Sequence, residues 1–255
     1  MKVSRVAILA VSMVLLSAGG AGAKPAPVKV GVILKGLDNP FFVAMFEGSR
    51  AEAKQLGVRI SVRAAIGITD RSGQAARTRA LVAGGYDCYV ANPISATNLV
   101  NALRGVKRPI VNVDSPIDPA AAKRAGLQIR SYVGTNDFEA GRLAGVGMSS
   151  ALHGRGTVAL VGAAPGNVNS DLRLRGFRRG VAGGNVQIVE RANGEYDRTK
   201  ALLVTERILR ARPRISGFFA VNDLMALGVA DGVRAAGAAG VTIIGVDGIP
   251  DALDA

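Results

Sequence analysis

The sequence has 255 residues, 49% of them hydrophobic and 4% aromatic, and its 32 basic residues outnumber 19 acidic ones to give a net charge of +13. This length is enough for one large domain or two medium ones with their own cores, and a single cysteine, Cys88, excludes an intramolecular disulfide. The charge would suit nucleic acid, but the arginines are scattered along predicted helices, and the densest cluster, residues 173–179, has no interleaved aromatics suited to stacking bases. A solvated surface is therefore favoured and no nucleic-acid partner is expected.

The first 23 residues have the pattern of a cleavable secretory signal peptide. Lys2 and Arg5 precede a short apolar run over residues 6–16, and small residues lead up to a cleavage site after Ala23. The run is too short and wrongly flanked for a membrane span. The sequence therefore predicts an exported protein of the periplasm.

From residue 28 onwards, short apolar runs alternate with segments of helical periodicity, which is typical of an α/β fold with parallel sheets. Predicted strands cover residues 28–34, 58–62, 88–91, 109–113, 129–133, 157–161, 186–189, 215–220 and 241–246. Predicted helices cover residues 41–56, 74–82, 97–103, 138–152, 172–181, 199–209 and 224–235. The first helix has the clearest ends, with Asn39 as N-cap, Pro40 in the first helical position and Gly57 as the stop signal.

The segment 115–128 breaks this alternation, because it is rich in alanine and proline and only weakly patterned. We therefore expect two lobes, an N-terminal one over residues 24–134 and a C-terminal one over residues 135–255. A TIM barrel is the alternative, but its eight units would have to repeat without such a break.

Polar side chains follow nearly every predicted strand, where open parallel sheets bind their ligands. The candidate ligand-binding residues are Lys35, Asn39, Phe41, Phe42, Asn92, Asp114, Arg173, Tyr196, Asn222 and Asp247. Taken singly, helix capping would account for Asp137, Asp223 and Asn39. The whole set instead predicts a polar cleft between two strand-end rims.

The chemistry predicted for this cleft is binding and not catalysis. The only histidine, His153, lies at the far end of a helix, and no P-loop, dinucleotide or nucleophile-elbow motif is present, so neither a metal nor a cofactor is expected. Asp114 and Asp247 as a glycosidase pair are a weaker alternative. Carboxylate, amide and guanidinium groups suit vicinal hydroxyls, and Phe41 suits the flat face of a sugar, while Phe42 could equally be core.

Seven stretches in order make the chain resemble the ribose-type periplasmic sugar-binding proteins of ABC uptake systems. They are residues 37–42 (LDNPFF), 91–93 (ANP), 113–114 (VD), 140–145 (AGRLAG), 173–177 (RLRGF), 222–228 (NDLMALG) and 245–248 (GVDG). The resemblance implies two Rossmann-like lobes that close about a hinge on a monosaccharide or related polyol. It also implies a monomer that delivers its ligand to a membrane ABC permease and, in some systems, to a chemoreceptor.

Carried over by position, the ligand contacts of that family fall on Asn39, Phe41, Phe42, Asp114, Arg173, Asn222 and Asp247, with Tyr196 at an often aromatic position. Three positions depart from the ribose-binder pattern. Lys35 stands where a small polar residue is expected, Ser115 where an arginine is usual, and Val246 where a phenylalanine is usual. Ribose, another pentose, a hexose, a polyol and a furanose-like signal such as autoinducer-2 all remain open.

Two other roles are compatible with the same fold, namely a periplasmic sensor and the effector domain of a LacI-type repressor. The repressor is disfavoured, because the predicted signal peptide occupies the place of its DNA-binding helices. In the family the helix that begins after Asp247 continues and the chain returns to the first lobe. We therefore expect the chain ending at Ala255 to be a fragment or truncated product that lacks these closing elements and binds weakly or not at all.

Overall fold

The computed structural model describes residues 26–255, which form two separate parallel β-sheets with helices packed around them. The predicted α/β fold with two lobes is therefore confirmed, and the barrel alternative is wrong. The predicted signal peptide lies outside the described residues. Among the described residues no helix is long and apolar enough to cross a membrane.

The N-terminal sheet has five parallel strands in the order β2-β1-β3-β4-β5. The strands are β1 Lys29–Leu34, β2 Arg59–Ala64, β3 Cys88–Ala91, β4 Ile110–Val113 and β5 Ile129–Val133, and the helices are α1 Pro40–Leu56, α2 Arg71–Ala83 and α3 Pro119–Arg124. Its core is built around fully buried side chains of Leu99, Leu103 and Ile110. Strand order reverses between β1 and β3, and this switch point brings the loops after those strands to one rim.

The C-terminal sheet has four parallel strands in the order β7-β6-β8-β9. The strands are β6 Arg155–Gly162, β7 Asn185–Asn193, β8 Gly217–Ala220 and β9 Thr242–Ile244, and the helices are α4 Asp137–Ala151, α5 Val168–Val181, α6 Arg198–Ala211, α7 Asp223–Ala235 and α8 Pro250–Leu253. Phe177 and Phe219 stack face to face in its core, with ring centroids 4.6 Å apart.

Two local predictions about the N-terminal lobe are wrong. Residues 97–103 form a run of turns and not a helix, since their backbone bonds are mostly of the i→i−3 kind, from Val100 to Thr97 at 3.1 Å and from Arg104 to Asn101 at 3.4 Å. The segment 115–128 is not irregular throughout, since it contains α3. Asp118 caps this short helix and Pro119 opens it, as in an ordinary helix start.

The ends of α1 are as predicted. The side chain of Asn39 accepts from the Phe41 amide, Pro40 is the first helical residue, and Gly57 closes the helix with φ of 65°. This cap fixes the turn after β1 and so directs Phe41 and Phe42 to the end of the sheet where the ligand cleft lies.

Helices α4 and α5 pack so closely that their contact requires glycine. A Cβ on Gly141 would collide with the main-chain carbonyl of Arg173, and one on Gly176 would collide with the carbonyl of Phe138. The glycines in the stretches 140–145 and 173–177 therefore allow the two helices to touch along their backbones. This contact sets the position of Arg173 in the second turn of α5.

Candidate ligand-binding cleft

A cleft between the two lobes gathers loops from the carboxyl ends of both sheets. It is lined by Lys35, Asn39, Phe41, Phe42, Ile68, Ile94, Asp114, Asn167, Asn169, Arg173, Tyr196, Asn222 and Asp247. It contains about 460 Å³ not filled by protein atoms, part of it open to solvent.

Nine of the ten residues predicted for the site line this cleft. Asn92 does not line it. This residue is wholly buried directly after β3, and its amide nitrogen lies 3.8 Å from the sulfur of Met45. A ligand contact by Asn92 stays a prediction. The sequence missed Ile68, Ile94, Asn167 and Asn169, although the two asparagines lie in the segment directly after the sixth strand.

On the N-terminal side, a buried lysine organises the wall of the cleft. The Lys35 ammonium donates to Asp114 Oδ2 and to Ser115 Oγ, both at 2.6 Å, and only 8% of the residue is exposed. The ammonium also lies 5.5 Å from the centroid of the Phe42 ring. Phe41 meets Phe42 edge to face, with centroids 5.3 Å apart. Phe42 is buried and lines the cleft, so it is both core and wall.

On the C-terminal side, Arg173 is held by three acceptors. Its Nε donates to Asp137 Oδ1 at 2.6 Å, and its Nη1 donates to the Val221 carbonyl at 2.6 Å and to Asp247 Oδ1 at 3.2 Å. All three charged side chains are largely buried, so the ion pairs are weakly screened by solvent. Among residues 26–255, Nη2 of Arg173 has no hydrogen-bond partner.

The expectation that Asp137 and Asp223 serve as helix caps is wrong. The caps of α4 and α7 are the preceding asparagines, Asn136 and Asn222. Asp137 instead pairs with Arg173, and Asp223 accepts from the amides of Gly248 and Ile249 at 2.6 and 2.9 Å. In both Asn-Asp pairs the asparagine caps the helix that follows, and the aspartate bonds to another residue, Asp137 to Arg173 and Asp223 to the amides after β9.

Only one of the two polar atoms of the Asn222 side chain has a hydrogen-bond partner among the described residues. Its Oδ1 accepts from the Met225 amide at 3.1 Å, but its buried Nδ2 has no partner among the described residues, although it is only 1% exposed. An unpaired buried donor costs about 1–3 kcal/mol. An amide nitrogen in that state at the wall of a cleft is a donor available to a ligand.

Three residues of the cleft have backbone conformations that are unfavourable for residues other than glycine. The φ angles are 60° for Asp114, 56° for Tyr196 and 133° for Asp247. Such conformations cost on the order of 1–3 kcal/mol each and persist where neighbouring contacts over-determine them, often at functional sites. All three turn a side chain at a strand end towards the space between the lobes.

Burial changes the ionisation of the acidic side chains. Removal from water raises the pKa of Asp247 to about 6, against the opposing effect of Arg173. Burial also raises the pKa of Asp137, again with Arg173 opposing it, and burial raises the pKa of the Tyr196 hydroxyl. Tyr196 therefore stays neutral, and its hydroxyl donates to Asn167 Oδ1 at 3.0 Å.

No group of three or more histidine, cysteine, aspartate or glutamate side chains within residues 26–255 could hold a metal ion. His153 is exposed at the far end of α4. The cleft places hydrogen-bonding side chains from both lobes beside aromatic rings. A two-lobed α/β protein with such a cleft belongs to the class of solute-binding proteins that close around a small ligand.

Comparison with known proteins gives the family. The chain belongs to the periplasmic binding protein family, whose domain model matches residues 30–255. It is 33% identical to the D-allose-binding periplasmic protein of Escherichia coli, covering 89% of this chain and 75% of that protein. It is 29% identical to the ribose import binding protein RbsB of Bacillus subtilis, covering 88% and 71%.

A solved structure supports the same assignment. The periplasmic solute-binding protein of an Actinobacillus succinogenes ABC transporter, crystallised with D-allose, superposes with a TM-score of 0.83 at 31% identity. The match covers 90% of this chain and 81% of that one. The relatives are thus longer than the matched region, and their extra length is not represented in this sequence.

Proposed function

We propose that this chain is the periplasmic substrate-binding component of an ABC sugar importer and binds a neutral monosaccharide between its lobes without altering it. The observation that carries the proposal is the balance of unused donors and acceptors around the cleft. This balance is what a ligand made of hydroxyl groups requires, because each hydroxyl both donates and accepts.

The unused donors come from three cleft residues. Arg173 offers both hydrogens of Nη2, Asn222 offers its orphaned Nδ2, and Lys35 has one hydrogen left after its bonds to Asp114 and Ser115. These groups lie on both sides of the cleft. A ligand that satisfied all of them would hold the two lobes together.

The unused acceptors are carboxylate oxygens. Asp114 uses Oδ2 for Lys35, and Asp247 uses Oδ1 for Arg173, which leaves the other oxygen of each carboxylate for the ligand. Hydrogen bonds from a hydroxyl to a carboxylate are short and roughly twice as strong as neutral ones. Phe41 and Phe42 add flat apolar surface for the C–H face of a sugar ring.

The charges in the cleft favour a neutral ligand. Two cations, Lys35 and Arg173, face three carboxylates, Asp114, Asp137 and Asp247, and each cation is already paired. A ligand carboxylate or phosphate would enter a site without a free positive charge. This is the reason for preferring a sugar or polyol to an acidic sugar, in spite of the lysine.

The names of the relatives agree with this ligand class, since they bind D-allose and ribose. The proposal includes a cleavable leader ending at Ala23, lobes over residues 24–134 and 135–255, and delivery to a membrane permease by a monomer. It assigns no enzymatic activity and no cofactor. All ten residues predicted from the sequence are kept as ligand contacts in this proposal.

Calorimetry against pentoses, hexoses, polyols and uronic acids tests the proposal. The expected result is weak binding of a neutral sugar and at least 10-fold weaker binding of the matching uronic acid. Arg173→Ala and Asp247→Ala should each lower the affinity for the preferred ligand by about 5- to 150-fold. Arg175→Ala, an exposed position on the same helix, is the matched control. Unchanged affinity in both site variants would sink the site assignment.

A further inference from the structure

A direct side-chain contact joins the two lobes at the wall of the cleft. The hydroxyl of Ser115, which follows β4 in the first lobe, donates to Asn169 Oδ1 at 2.6 Å. Asn169 Nδ2 returns a bond of 3.2 Å to the main-chain carbonyl of Asp114. Asn169 is the second residue of α5, so both bonds cross between the lobes. Ser115 and Asn169 are 6% and 7% exposed.

The hydrogen-bond directions in this contact are fixed by chemistry. A serine hydroxyl has one hydrogen, and its bond to Asn169 at 2.6 Å is far shorter than its 3.3 Å approach to Asp114 Oδ2. The Ser115 oxygen therefore accepts from Lys35, whose ammonium has no acceptor lone pair. The chain of donors runs from Lys35 through Ser115 to Asn169, and it is complete only when the lobes are together.

The second bond from Asn169 acts on the backbone of Asp114. That residue has a φ of 60°, an unfavourable conformation for an aspartate. Its carbonyl accepts from the Tyr132 hydroxyl of its own lobe at 2.7 Å and from Asn169 of the other lobe. The approach of the second lobe thus adds a restraint to a residue whose carboxylate lines the cleft.

We propose that Asn169 is a positioning residue that couples closure of the lobes to the arrangement of Lys35 and Asp114. It acts as a latch through Ser115 and the Asp114 carbonyl, and not through the ligand. The part of the inference that concerns ligand affinity rests on the proposed function. The part that concerns the lobes does not.

The first experiment needs no ligand. Spin labels at Gln55→Cys on α1 and Arg207→Cys on α6, both exposed positions, in a Cys88→Ser background report the distance between the lobes. Without sugar, Asn169→Ala should shift the distance distribution towards longer, open distances relative to the parent. Asn185→Ala, an exposed asparagine at the opposite end of the C-terminal sheet, should leave the distribution unchanged. Identical distributions for Asn169→Ala and its parent would overturn the latch.

The second experiment separates a latch from a ligand contact. Asn169→Ala should lower the affinity for each neutral sugar that the parent binds by about tenfold, through faster dissociation. The order of preference among the sugars should stay the same. Ser115→Ala combined with Asn169→Ala should cost less than the sum of the two single changes. A changed order of preference, or strict additivity, would overturn the proposal. If the parent binds no sugar, the proposed function fails, while the distance measurement still decides the latch.

Discussion

Arg173 and Asp137 form the most deeply buried ion pair of the site, with Nε and Oδ1 2.6 Å apart and both side chains less than a tenth exposed. Asp137 is the first residue of α4, directly after the segment that connects the lobes, and Arg173 lies on α5. The arginine that we assign to the ligand is therefore positioned by a residue next to the segment that connects the two sheets.

This pair gives the first prediction. Asp137→Ala should lower the free energy of unfolding by about 3 kcal/mol, because a buried cation loses a partner, and should weaken sugar binding. Asn136→Ala, which removes the actual cap of α4, should cost only about 1 kcal/mol. Urea denaturation of both variants measures the difference. If Asn136→Ala lowered the free energy of unfolding as much as Asp137→Ala or more, the buried ion pair would not be the main contribution of Asp137 to stability.

The raised pKa of Asp247 predicts a specific pH dependence. Its pKa is about 6 in the folded protein and near 3.8 when unfolded, so between these values the folded state holds a proton that the unfolded state has released. The contribution of Asp247 to stability should therefore increase as pH falls from above 6 towards 4. Relative to the parent, Asp247→Asn should be more stable at pH 7 than at pH 5. Denaturation at both pH values checks the sign, and a difference independent of pH would contradict it.

The same titration should affect binding. Protonation of Asp247 removes an acceptor for a ligand hydroxyl and weakens its pairing with Arg173, so sugar affinity is expected to fall as pH drops below 6. Calorimetry from pH 7.5 to 5 measures this. Affinity that stays constant over the range would mean that the ligand does not use the ionised carboxylate.

A substitution at Asn222 can test ligand binding separately from helix capping, because different atoms of the side chain serve the two roles. Asn222→Ser keeps a side-chain oxygen for the cap of α7 but removes the unpaired amide donor. We expect a loss of about 5- to 150-fold in affinity without a fall in the melting midpoint, because the change also removes an unsatisfied buried donor. Asn136→Ser makes the same change at a cap that does not line the cleft and should leave affinity intact. Equal affinities for both variants would argue against a ligand donor at Asn222.

Glycine-to-alanine changes should have opposite effects on stability at Gly141, in the contact between α4 and α5, and at Gly48, outside it. Gly141→Ala would force its new methyl group against the carbonyl of Arg173, and overpacking of this kind typically costs 1–3 kcal/mol. Gly48→Ala, in α1 with no atom within 4 Å of the new Cβ, should stabilise by about 0.5–1 kcal/mol. Thermal melts of the pair test it, and a stabilising Gly141→Ala would show that the helices can separate freely.

Lys35 is the position for testing selectivity. Lys35→Ser removes a donor from the cleft and leaves Asp114 without its cation. The expected result is a changed order of preference among pentoses, hexoses and polyols, and not a uniform loss. An unchanged order would assign Lys35 a structural role as the partner of Asp114.

Much of the fold could be predicted because its signals are local. Alternating β and α segments, the cap at Asn39 and the stop at Gly57 depend on residues close together in the sequence, and the two-lobe arrangement followed from a single break in the pattern. The helix predicted over residues 97–103 is wrong, because the segment is a run of turns whose backbone bonds are mostly of the i→i−3 kind, such as Val100 to Thr97.

The sequence by itself determined which residues stand at strand ends, and that was enough to select nine residues of the cleft. It could not assign their partners. Whether Asp137 caps a helix or pairs with Arg173 depends on the crossing of α4 and α5, which brings together residues 36 positions apart. Likewise, Asn169 meets Ser115 over 54 positions and between two lobes. Hydrogen bonds act over about 3 Å, so such pairs exist only after packing has set the distance between elements that are remote in the chain.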